Sequence, residues 1–389
     1  MHQPEPDVGT RVLHLTQPVD GGVPRVVTDL ARAQLAAGFQ VTVACPDSAL
    51  AGELRSLGAE VRRWEATRSP GPSLPGEVRR LARLLDEVRP ALVHAHSAKA
   101  GLAGRLAVRG RIPTVFQPHA WSFEAVGGTT AALALRWERF GARWTARTVC
   151  VSEAERATGE RAGISGRWSV VPNGIDTERF SPGTANNADS ADVPEAAGPL
   201  VVCVGRLCRQ KGQDVLLRAW PDVVRQVPGA RLALVGDGPD GERLRAGAPE
   251  SVAFVGAVAD SVPWYRAADL VVLPSRWEGM ALAPLEALAC GRPVVVTDVD
   301  GARESLPDAL VPHCLVPSEN PAALAGAVTG LLSDTALRTS LGDQGRRYVQ
   351  STHDVRHMAE AVADVYRELL GPTPKPPVVP TECRESIHS

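Results

Sequence analysis

The stretch that decides the fold is SRWEGMALAPLEALACGRPVVVTDVDG, residues 275–301. It predicts a loop, a helix that opens near Pro284, a short apolar strand and a turn. Proline fits the first turn of a helix, so the amides just before it point forward without intrahelical partners and form an anion site. Glu278 lies in the loop and Glu286 in the first turn, so both carboxylates border that site. The amides belong to Met280, Ala281, Leu282 and Ala283.

A second motif supplies positive charge. Residues 201–212, VVCVGRLCRQKG, predict a buried strand, then a loop with Arg206 and Lys211, then a helix. Glutamate at a helix start also has a purely structural explanation, because the helix dipole stabilises negative charge there. Two cations on a loop after a strand instead suit the paired charges of a diphosphate. Together the motifs match a sugar joined to a nucleoside diphosphate.

The ordered set of motifs resembles the retaining glycosyltransferases of family 4, which have the GT-B fold. In the C-terminal half the motifs are GRLCRQKG (205–212), VGDGPDGERL (235–244), VAFVGAV (252–258) and AADLVVLPSRWEGMALAPLEALACGRPVVVTDVDGARE (267–304). In the N-terminal half they are PVDGGVPRVV (18–27), HAHSAKAGLAG (94–104), FQPHAWSF (116–123), VCVSEAE (149–155) and VVPNGIDTERF (170–180). Any one motif is weak, but their order and spacing are specific.

The resemblance implies transfer of a glycosyl group from a nucleoside diphosphate sugar to an acceptor, with retained configuration. It assigns Glu278 to the hydroxyls of the transferred sugar and Glu286 to the ribose hydroxyls. Arg206, Lys211 and the helix amides would stabilise the departing diphosphate in place of a metal ion, so no metal or other cofactor is expected. No residue fits a covalent nucleophile, which favours a same-face mechanism. Within the family, UDP-sugars such as UDP-GlcNAc or UDP-glucose are favoured as donors.

Two further motifs are predicted to reach the donor. Gly21, Gly22 and Val23 follow the first predicted strand, where glycine lets the main chain approach a ligand closely. A Gly-Gly pair alone is commonly just a turn. A single histidine is also more often structural, but the resemblance places His119 beside the transferred sugar, to bond a hydroxyl or steady developing charge. The remaining pair, His94 and His96, is interpreted as packing or cleft-lining, because no third ligand is suitably spaced.

Alternating strand and helix patterns predict two α/β domains with Rossmann-like parallel sheets that face each other across a cleft. Residues 1–182 form the predicted acceptor-binding domain, residues 183–199 a linker, and residues 200–354 the donor-binding domain. By resemblance, a helix at 355–370 returns to complete the first domain. The proline-rich residues 371–389 are predicted to be disordered.

Charge is unevenly distributed along this chain of 389 residues. The formal net charge is −2, with +5 in residues 1–180 and −7 in the remainder. The first half therefore suits an anionic acceptor or peripheral contact with a membrane, although solvated helix surfaces explain the same arginines. No nucleic-acid partner is expected.

The seven cysteines show neither metal-ligand spacing nor a paired framework, so they are interpreted as small buried hydrophobes in a reducing compartment. No apolar run approaches the roughly 18 residues of a membrane span, and no charged leader with an apolar core is present. These features predict a cytoplasmic protein.

Several alternatives stay open. A sugar-nucleotide epimerase of similar architecture would turn over donor without an acceptor, and a non-catalytic binding protein would not turn it over at all. The sequence Asp298-Val299-Asp300 resembles a D-x-D metal signature but is predicted to be a turn. Asp300 stands where the family usually has a small residue, and Met280-Ala281 replace a common Phe-Gly. The acceptor itself is not encoded in any motif.

Overall fold

The computed structural model describes residues 9–183 and 197–371. Most of the predicted linker and all but the first residue of the predicted tail lie outside these ranges, as does Cys383. The six cysteines within them are free and buried, as their apolar surroundings predict. Within the same ranges, no helix is both long and apolar enough to cross a bilayer.

The N-terminal half contains a seven-stranded sheet. Its strands are β1 (Arg11–Thr16), β2 (Gln40–Cys45), β3 (Glu60–Arg63), β4 (Leu92–His96), β5 (Thr114–Gln117), β6 (Arg147–Cys150) and β7 (Trp168–Val170). They lie in the order β3-β2-β1-β4-β5-β6-β7, and every pairing is parallel. β1, β2 and β4 are almost wholly buried, as expected where helices cover both faces of a sheet.

Helices connect these strands. They are α1 (Gly22–Ala36), α2 (Ala49–Ser56), α3 (Leu74–Val88), α4 (Ser97–Val108), α5 (Gly128–Gly141) and α6 (Glu153–Arg161). The first of them begins directly after Gly21, whose φ of +86° turns the chain into the helix.

The C-terminal half repeats the arrangement with six parallel strands. These are β8 (Leu200–Val204), β9 (Arg231–Val235), β10 (Val252–Gly256), β11 (Leu270–Leu273), β12 (Val294–Thr297) and β13 (Leu315–Val316), in the order β10-β9-β8-β11-β12-β13. Its helices are α7 (Gln213–Gln226), α8 (Gly241–Arg245), α9 (Val262–Ala267), α10 (Leu282–Ala289), α11 (Val311–Cys314), α12 (Pro321–Ser333) and α13 (Thr335–Thr352). The predicted α/β architecture with two parallel sheets is therefore confirmed.

The last helix, α14 (Val355–Leu370), packs against α1 of the N-terminal half. The chain crosses over through a short parallel bridge, in which the Ile175 amide donates to the His353 carbonyl and the Val355 amide donates to the Ile175 carbonyl, both at 2.9 Å. The domain boundaries themselves stay predictions.

Strand order reverses direction between β1 and β4 in the first sheet and between β8 and β11 in the second. In open α/β sheets, ligands bind beyond the carboxyl ends of the strands at such reversal points. The loops that follow β1, β8 and β11 carry most of the predicted site residues, so the fold brings separate parts of the sequence to one cleft.

Candidate active site

The loop after β11 carries Glu278 beside a positive charge. The Glu278 carboxylate lies 2.6 Å from Lys211 Nζ and accepts a 2.7 Å hydrogen bond from the Ser275 hydroxyl. Glu278 is 8% exposed. Lys211 is brought there by a 3-10 turn after β8, which ends at Gly212 with φ +66° and has no room for a Cβ against the Pro274 carbonyl. The sequence assigned Glu278 and Lys211 to neighbouring parts of a ligand, and the structure pairs them with each other.

Glu286, the fifth residue of α10, forms a second cluster. One carboxylate oxygen accepts a 2.7 Å hydrogen bond from the Tyr265 hydroxyl, and the other lies 3.9 Å from the Arg25 guanidinium of α1. Burial raises the pKa of Glu286, while Arg25 opposes that shift. Burial and the adjacent carboxylate raise the pKa of Tyr265. Arg25 and Tyr265 were not predicted, because Arg25 reaches Glu286 from the other domain and Tyr265 reaches it from the neighbouring helix α9.

The amino end of α10 faces the amino end of α1. The helix starts at Leu282 after Ala281, and no side chain caps it, which leaves the predicted amide site open. A Cβ added at Gly22 would lie 3.4 Å from the Leu282 side chain. Of the predicted neighbours, Val23 packs against the hydrophobic core, and the Met280 carbonyl accepts a 2.8 Å hydrogen bond from the Asn173 side chain. Ala283 packs against the same core.

Arg206 reaches across the cleft from the loop after β8. Its guanidinium lies 3.9 Å from the carboxylate of Asp20, in the loop before α1, and its side chain is 24% exposed. The Gln213 side chain donates a 3.0 Å hydrogen bond to the Arg206 carbonyl, which fixes the backbone of this loop. Both predicted cations thus lie in the cleft, each beside a carboxylate.

His119 occupies a strained segment after β5. Its φ is +57° and that of Ala120 is +110°, values that side-chain-bearing residues rarely adopt and that cluster at functional sites. The Ala120 amide donates a 2.6 Å hydrogen bond to Glu155 of α6, whose other oxygen accepts from the Val151 amide at 2.8 Å. A Cβ at Gly279 would collide with this segment. The strained loop therefore packs directly against the loop of Glu278.

Glu155 is a site residue that sequence analysis missed, although a signal existed. Ser152 and Glu155 have the S-x-x-E spacing of a capping box, and the Ser152 hydroxyl does accept from the Glu155 amide at 3.0 Å. The Glu155 carboxylate, however, turns to the His119 loop. Burial raises its pKa to about 7.

The interpretation that His94 and His96 lack a third partner is wrong. His14 of β1 lies beside both rings, and ring nitrogens of the three histidines lie within 4.8 Å of one another. His14 and His94 are register partners on adjacent strands, a proximity that the sequence alone does not reveal. All three rings are buried.

The two domains also bond to each other through α6. The Thr158 hydroxyl donates to Asp300 at 2.7 Å, and Glu304 accepts from the amides of Glu153 and Ala154 at 2.7 and 2.9 Å. Asp300 lies in a turn, as predicted for the D-x-D sequence. Its carboxylate accepts the hydrogen bond from Thr158 of the N-terminal domain.

A cavity of about 850 Å³ opens beside the Glu278 loop. Its lining includes Trp277, Arg209 and Arg243 from the C-terminal half and Glu124 from the N-terminal half. The Arg209 guanidinium lies 5.7 Å from the centre of the Trp277 ring. This size and mixed lining suit a polar small molecule.

Solved structures share this architecture. Sucrose-phosphate synthase from Thermosynechococcus elongatus superposes with a TM-score of 0.77 at 24% identity, covering 92% of this chain and 99% of that one. HepE from Anabaena, in complex with UDP and glucose, gives 0.77 at 23% identity with the same coverage of both chains. Two parallel-sheet domains around a shared cleft define this protein as one with the GT-B fold, as predicted.

Sequence comparisons agree. The family described as Glycosyltransferase Family 4 matches residues 20–179, and the one described as Glycosyl transferases group 1 matches residues 198–334. The GDP-mannose-dependent alpha-(1-6)-phosphatidylinositol monomannoside mannosyltransferase of Mycobacterium tuberculosis is 32% identical over 337 residues, covering 80% of this chain and 84% of the relative. The chain belongs to glycosyltransferase family 4, and it is a glycosyltransferase.

Proposed function

We propose that the protein transfers a hexosyl group from a nucleoside diphosphate sugar to an acceptor, without a metal ion and with retention of anomeric configuration. The observation that carries this proposal is the convergence of Arg206, Lys211 and the uncapped end of α10 on a cleft that also contains Glu278 and Glu286. Glycoside hydrolases also use paired carboxylates, but they need no such cationic cradle.

The difficult step is departure of the diphosphate, which builds negative charge on the leaving oxygen. Arg206, Lys211 and the α10 amides stabilise that charge as fixed positive groups in a partly enclosed site. In the structure, Lys211 forms an ion pair with Glu278 at 2.6 Å. Donor phosphate therefore competes for Lys211, and Glu278 becomes able to accept hydrogen bonds from the sugar.

Glu278 orients the sugar and does not attack it. Its carboxylate is held by the Ser275 hydroxyl, so it is positioned to accept hydrogen bonds from the sugar hydroxyls while positive charge develops on the sugar ring. His119 contacts the same sugar from the other domain. The acceptor attacks from the face that the diphosphate leaves, and the leaving phosphate oxygen takes up the acceptor's proton.

Glu286 binds the ribose hydroxyls of the nucleotide. Burial raises the pKa of Glu286. One carboxylate oxygen accepts a hydrogen bond from Tyr265, so the other oxygen, which faces Arg25, is the one that accepts from the ribose. UDP-sugars are the donors that frequency in the family favours. The relative from Mycobacterium tuberculosis, of whose length the match covers 84%, is named as GDP-mannose-dependent, so GDP-mannose is the first donor to test.

A coupled assay of nucleotide sugars tests this function. The protein is incubated with GDP-mannose, UDP-glucose and UDP-GlcNAc, with and without phosphatidylinositol mannoside, and released GDP or UDP is measured together with the sugar product. Acceptor-dependent release with a new α-linkage supports the proposal. Turnover of donor into an epimer without acceptor identifies an epimerase, and tight binding without release identifies a binding protein.

We further propose that the acceptor is presented at a membrane surface by α5. Among the described residues, four large apolar side chains are exposed, and three of them lie at or next to this helix: Val126, Leu133 and Phe140. Leu133 is 67% exposed. Apolar area of this kind, placed beside cations, favours the interface of anionic lipids.

The charges on α5 agree with that role. Arg136, Arg139 and Arg143 are exposed on or just after the helix, and the Arg143 guanidinium lies 3.7 Å from the centre of the Phe140 ring. The helix carries one carboxylate, Glu138, which is buried and accepts a 2.6 Å hydrogen bond from Arg105. The exposed face is therefore cationic and apolar. If α5 contacts the membrane from its cytoplasmic side, the protein keeps its predicted cytoplasmic location.

A further inference from the structure

A chain of buried polar side chains runs from His119 to the last helix. His119 Nε2 lies 3.2 Å from His96 Nδ1, and His96 Nε2 lies 3.0 Å from His14 Nδ1. His14 Nε2 lies 2.8 Å from Gln34 Oε1, and Gln34 Nε2 lies 3.4 Å from the hydroxyl of Tyr366. Five side chains from β1, α1, β4, the loop after β5 and α14 thus bond in one line.

Tyr366, at the end of the line, also bonds to a histidine of β4. The Tyr366 hydroxyl lies 2.6 Å from His94 Nδ1, and the His94 ring stacks on His96 with centroids 4.0 Å apart. Burial lowers the pKa values of His14, His94 and His96, so these rings are neutral and each carries one ring proton. A neutral imidazole donates from one nitrogen and accepts at the other.

Every hydrogen bond in the line needs one donor and one acceptor. The donor at one end therefore determines which nitrogen of each following ring carries the proton. Gln34 presents its oxygen to His14, so His14 donates from Nε2 and accepts at Nδ1. His96 must then donate from Nε2 and accept at Nδ1, and His119 must donate from Nε2. His119 Nδ1 is left as an acceptor.

The amide of Gln34 decides the direction, and its nitrogen lies 3.4 Å from the Tyr366 hydroxyl. With its nitrogen towards Tyr366, Gln34 donates to the phenolic oxygen, which in turn donates to His94. A rotation of the Gln34 amide by half a turn would reverse every donor and leave His119 Nδ1 protonated. We propose that Tyr366 and Gln34 are positioning residues that set the tautomer and ring orientation of His119 through His14 and His96.

The consequence is a dependence of the site on the crossover helix. Tyr366 is on α14, which returns to the N-terminal half after the second domain is complete. His119 is then set as an acceptor for a sugar hydroxyl only when α14 is docked. This use of His119 rests on the proposed function, whereas the hydrogen-bond line itself does not.

Nuclear magnetic resonance of the full chain, labelled with ¹⁵N in the histidine rings, tests the inference without donor or acceptor. Long-range correlations distinguish the protonated ring nitrogen from the bare one, and His119→Asn identifies the His119 signals by their loss. We expect His119 in a single neutral tautomer with its proton on Nε2. A proton on Nδ1 would overturn the proposal, whatever the activity of the enzyme.

Tyr366→Phe removes the hydroxyl and keeps the ring. We expect both His119 tautomers to appear and kcat to fall roughly tenfold, with the KM for donor changed by less than about twofold, because orientation and not donor affinity is lost. Tyr348→Phe on α13, which removes a 2.9 Å hydrogen bond to the Glu304 carbonyl, is the matched control and should leave the His119 signals unchanged. Gln34→Met is the second variant if Tyr366→Phe fails to fold.

Two results contradict the role of Tyr366. The first is a His119 spectrum in Tyr366→Phe, and in Gln34→Met, that matches the wild type. The second is a stoichiometric metal ion in the purified protein whose removal by chelator shifts the His14, His94 and His96 signals, since a metal and not the hydrogen-bond line would then hold the rings.

Discussion

Glu278 and Lys211 lie 67 positions apart in the chain, yet they form a 2.6 Å ion pair in the cleft. Sequence motifs identified both residues, because each belongs to a loop after a buried strand. They did not identify the pair, since pairing depends on which strands are neighbours: β8 and β11 lie side by side in the sheet. The same limit applies to His14 and His96, which are 82 positions apart.

Replacing Glu278 by glutamine tests its role. We expect kcat to fall by about 10² or more, because a neutral amide stabilises positive charge on the sugar poorly. Folding should survive at a cost of about 1–3 kcal/mol, since glutamine can still bond Ser275 and Lys211 keeps partial access to water. Turnover and thermal unfolding are measured together. Glu250→Gln, exposed and remote on the same domain, is the control. Normal turnover in Glu278→Gln would remove this residue from the mechanism.

Glu155 predicts a pH dependence of stability. Burial raises its pKa from 4.5 to about 7, so the folded protein binds a proton that the unfolded chain releases. The stability that this group contributes is therefore full below about pH 4.5 and is lost as pH rises through about 7. At one pKa unit per 1.36 kcal/mol the effect is at most about 3 kcal/mol.

The measurement compares the thermal midpoint at about pH 5 and about pH 8, either side of the titration. Glu155→Gln should show a smaller difference between the two midpoints than the wild type. Glu153→Gln, on the same helix but exposed, should keep the wild-type difference. An unchanged difference in Glu155→Gln would show that this carboxylate stays ionised when buried.

At the scale of elements, short apolar runs predicted the buried strands, and Pro284 predicted the start of α10 to within two residues. The anion site at this helix end stays a prediction, and no side chain caps the helix there. Surface properties were harder to predict. The excess of arginine in the first half was visible in the sequence. The position of arginines beside exposed Leu133 and Phe140 on α5 was not, because it depends on which face of the helix the core leaves uncovered.

That face of α5 predicts membrane binding. We expect the protein to sediment with vesicles of phosphatidylcholine and phosphatidylglycerol, and much less with phosphatidylcholine alone. Leu133→Ser with Phe140→Ser should lose binding to both, and Arg136→Ser with Arg143→Ser should lose the preference for anionic vesicles. Arg79→Ser with Arg83→Ser, exposed on α3, is the charge-matched control. Equal sedimentation of the α5 and α3 variants would rule out this surface.

At the scale of the molecule, the domains are coupled by hydrogen bonds between α6 and two carboxylates of the C-terminal half. Asp300 and Glu304 accept three hydrogen bonds from α6, at 2.7 to 2.9 Å. Each contributes on the order of 1 kcal/mol, which is enough to shift an equilibrium between open and closed arrangements. The sequence identified Asp300 as unusual, because it departs from the family pattern. It did not predict the hydrogen bond with Thr158, which depends on how the domains pack.

Removing these acceptors should open the ligand-free protein. We expect Asp300→Ala with Glu304→Ala to have a larger radius of gyration in X-ray scattering than the wild type, and saturating donor to reduce the difference. Glu242→Ala, exposed on α8, should scatter like the wild type. Identical curves for all three proteins would mean that other contacts hold the domains together.

Donor binding, as proposed, depends on fixed positive groups that hold the diphosphate in the cleft without a metal. Calorimetric titration of chelator-treated protein with GDP and UDP tests it most directly. We expect saturable binding of one nucleotide in the presence of chelator, unchanged by added Mg²⁺, and about tenfold or greater weakening in Arg206→Ala. Binding that appears only after Mg²⁺ is added, or that is equally tight in Arg206→Ala, would contradict it.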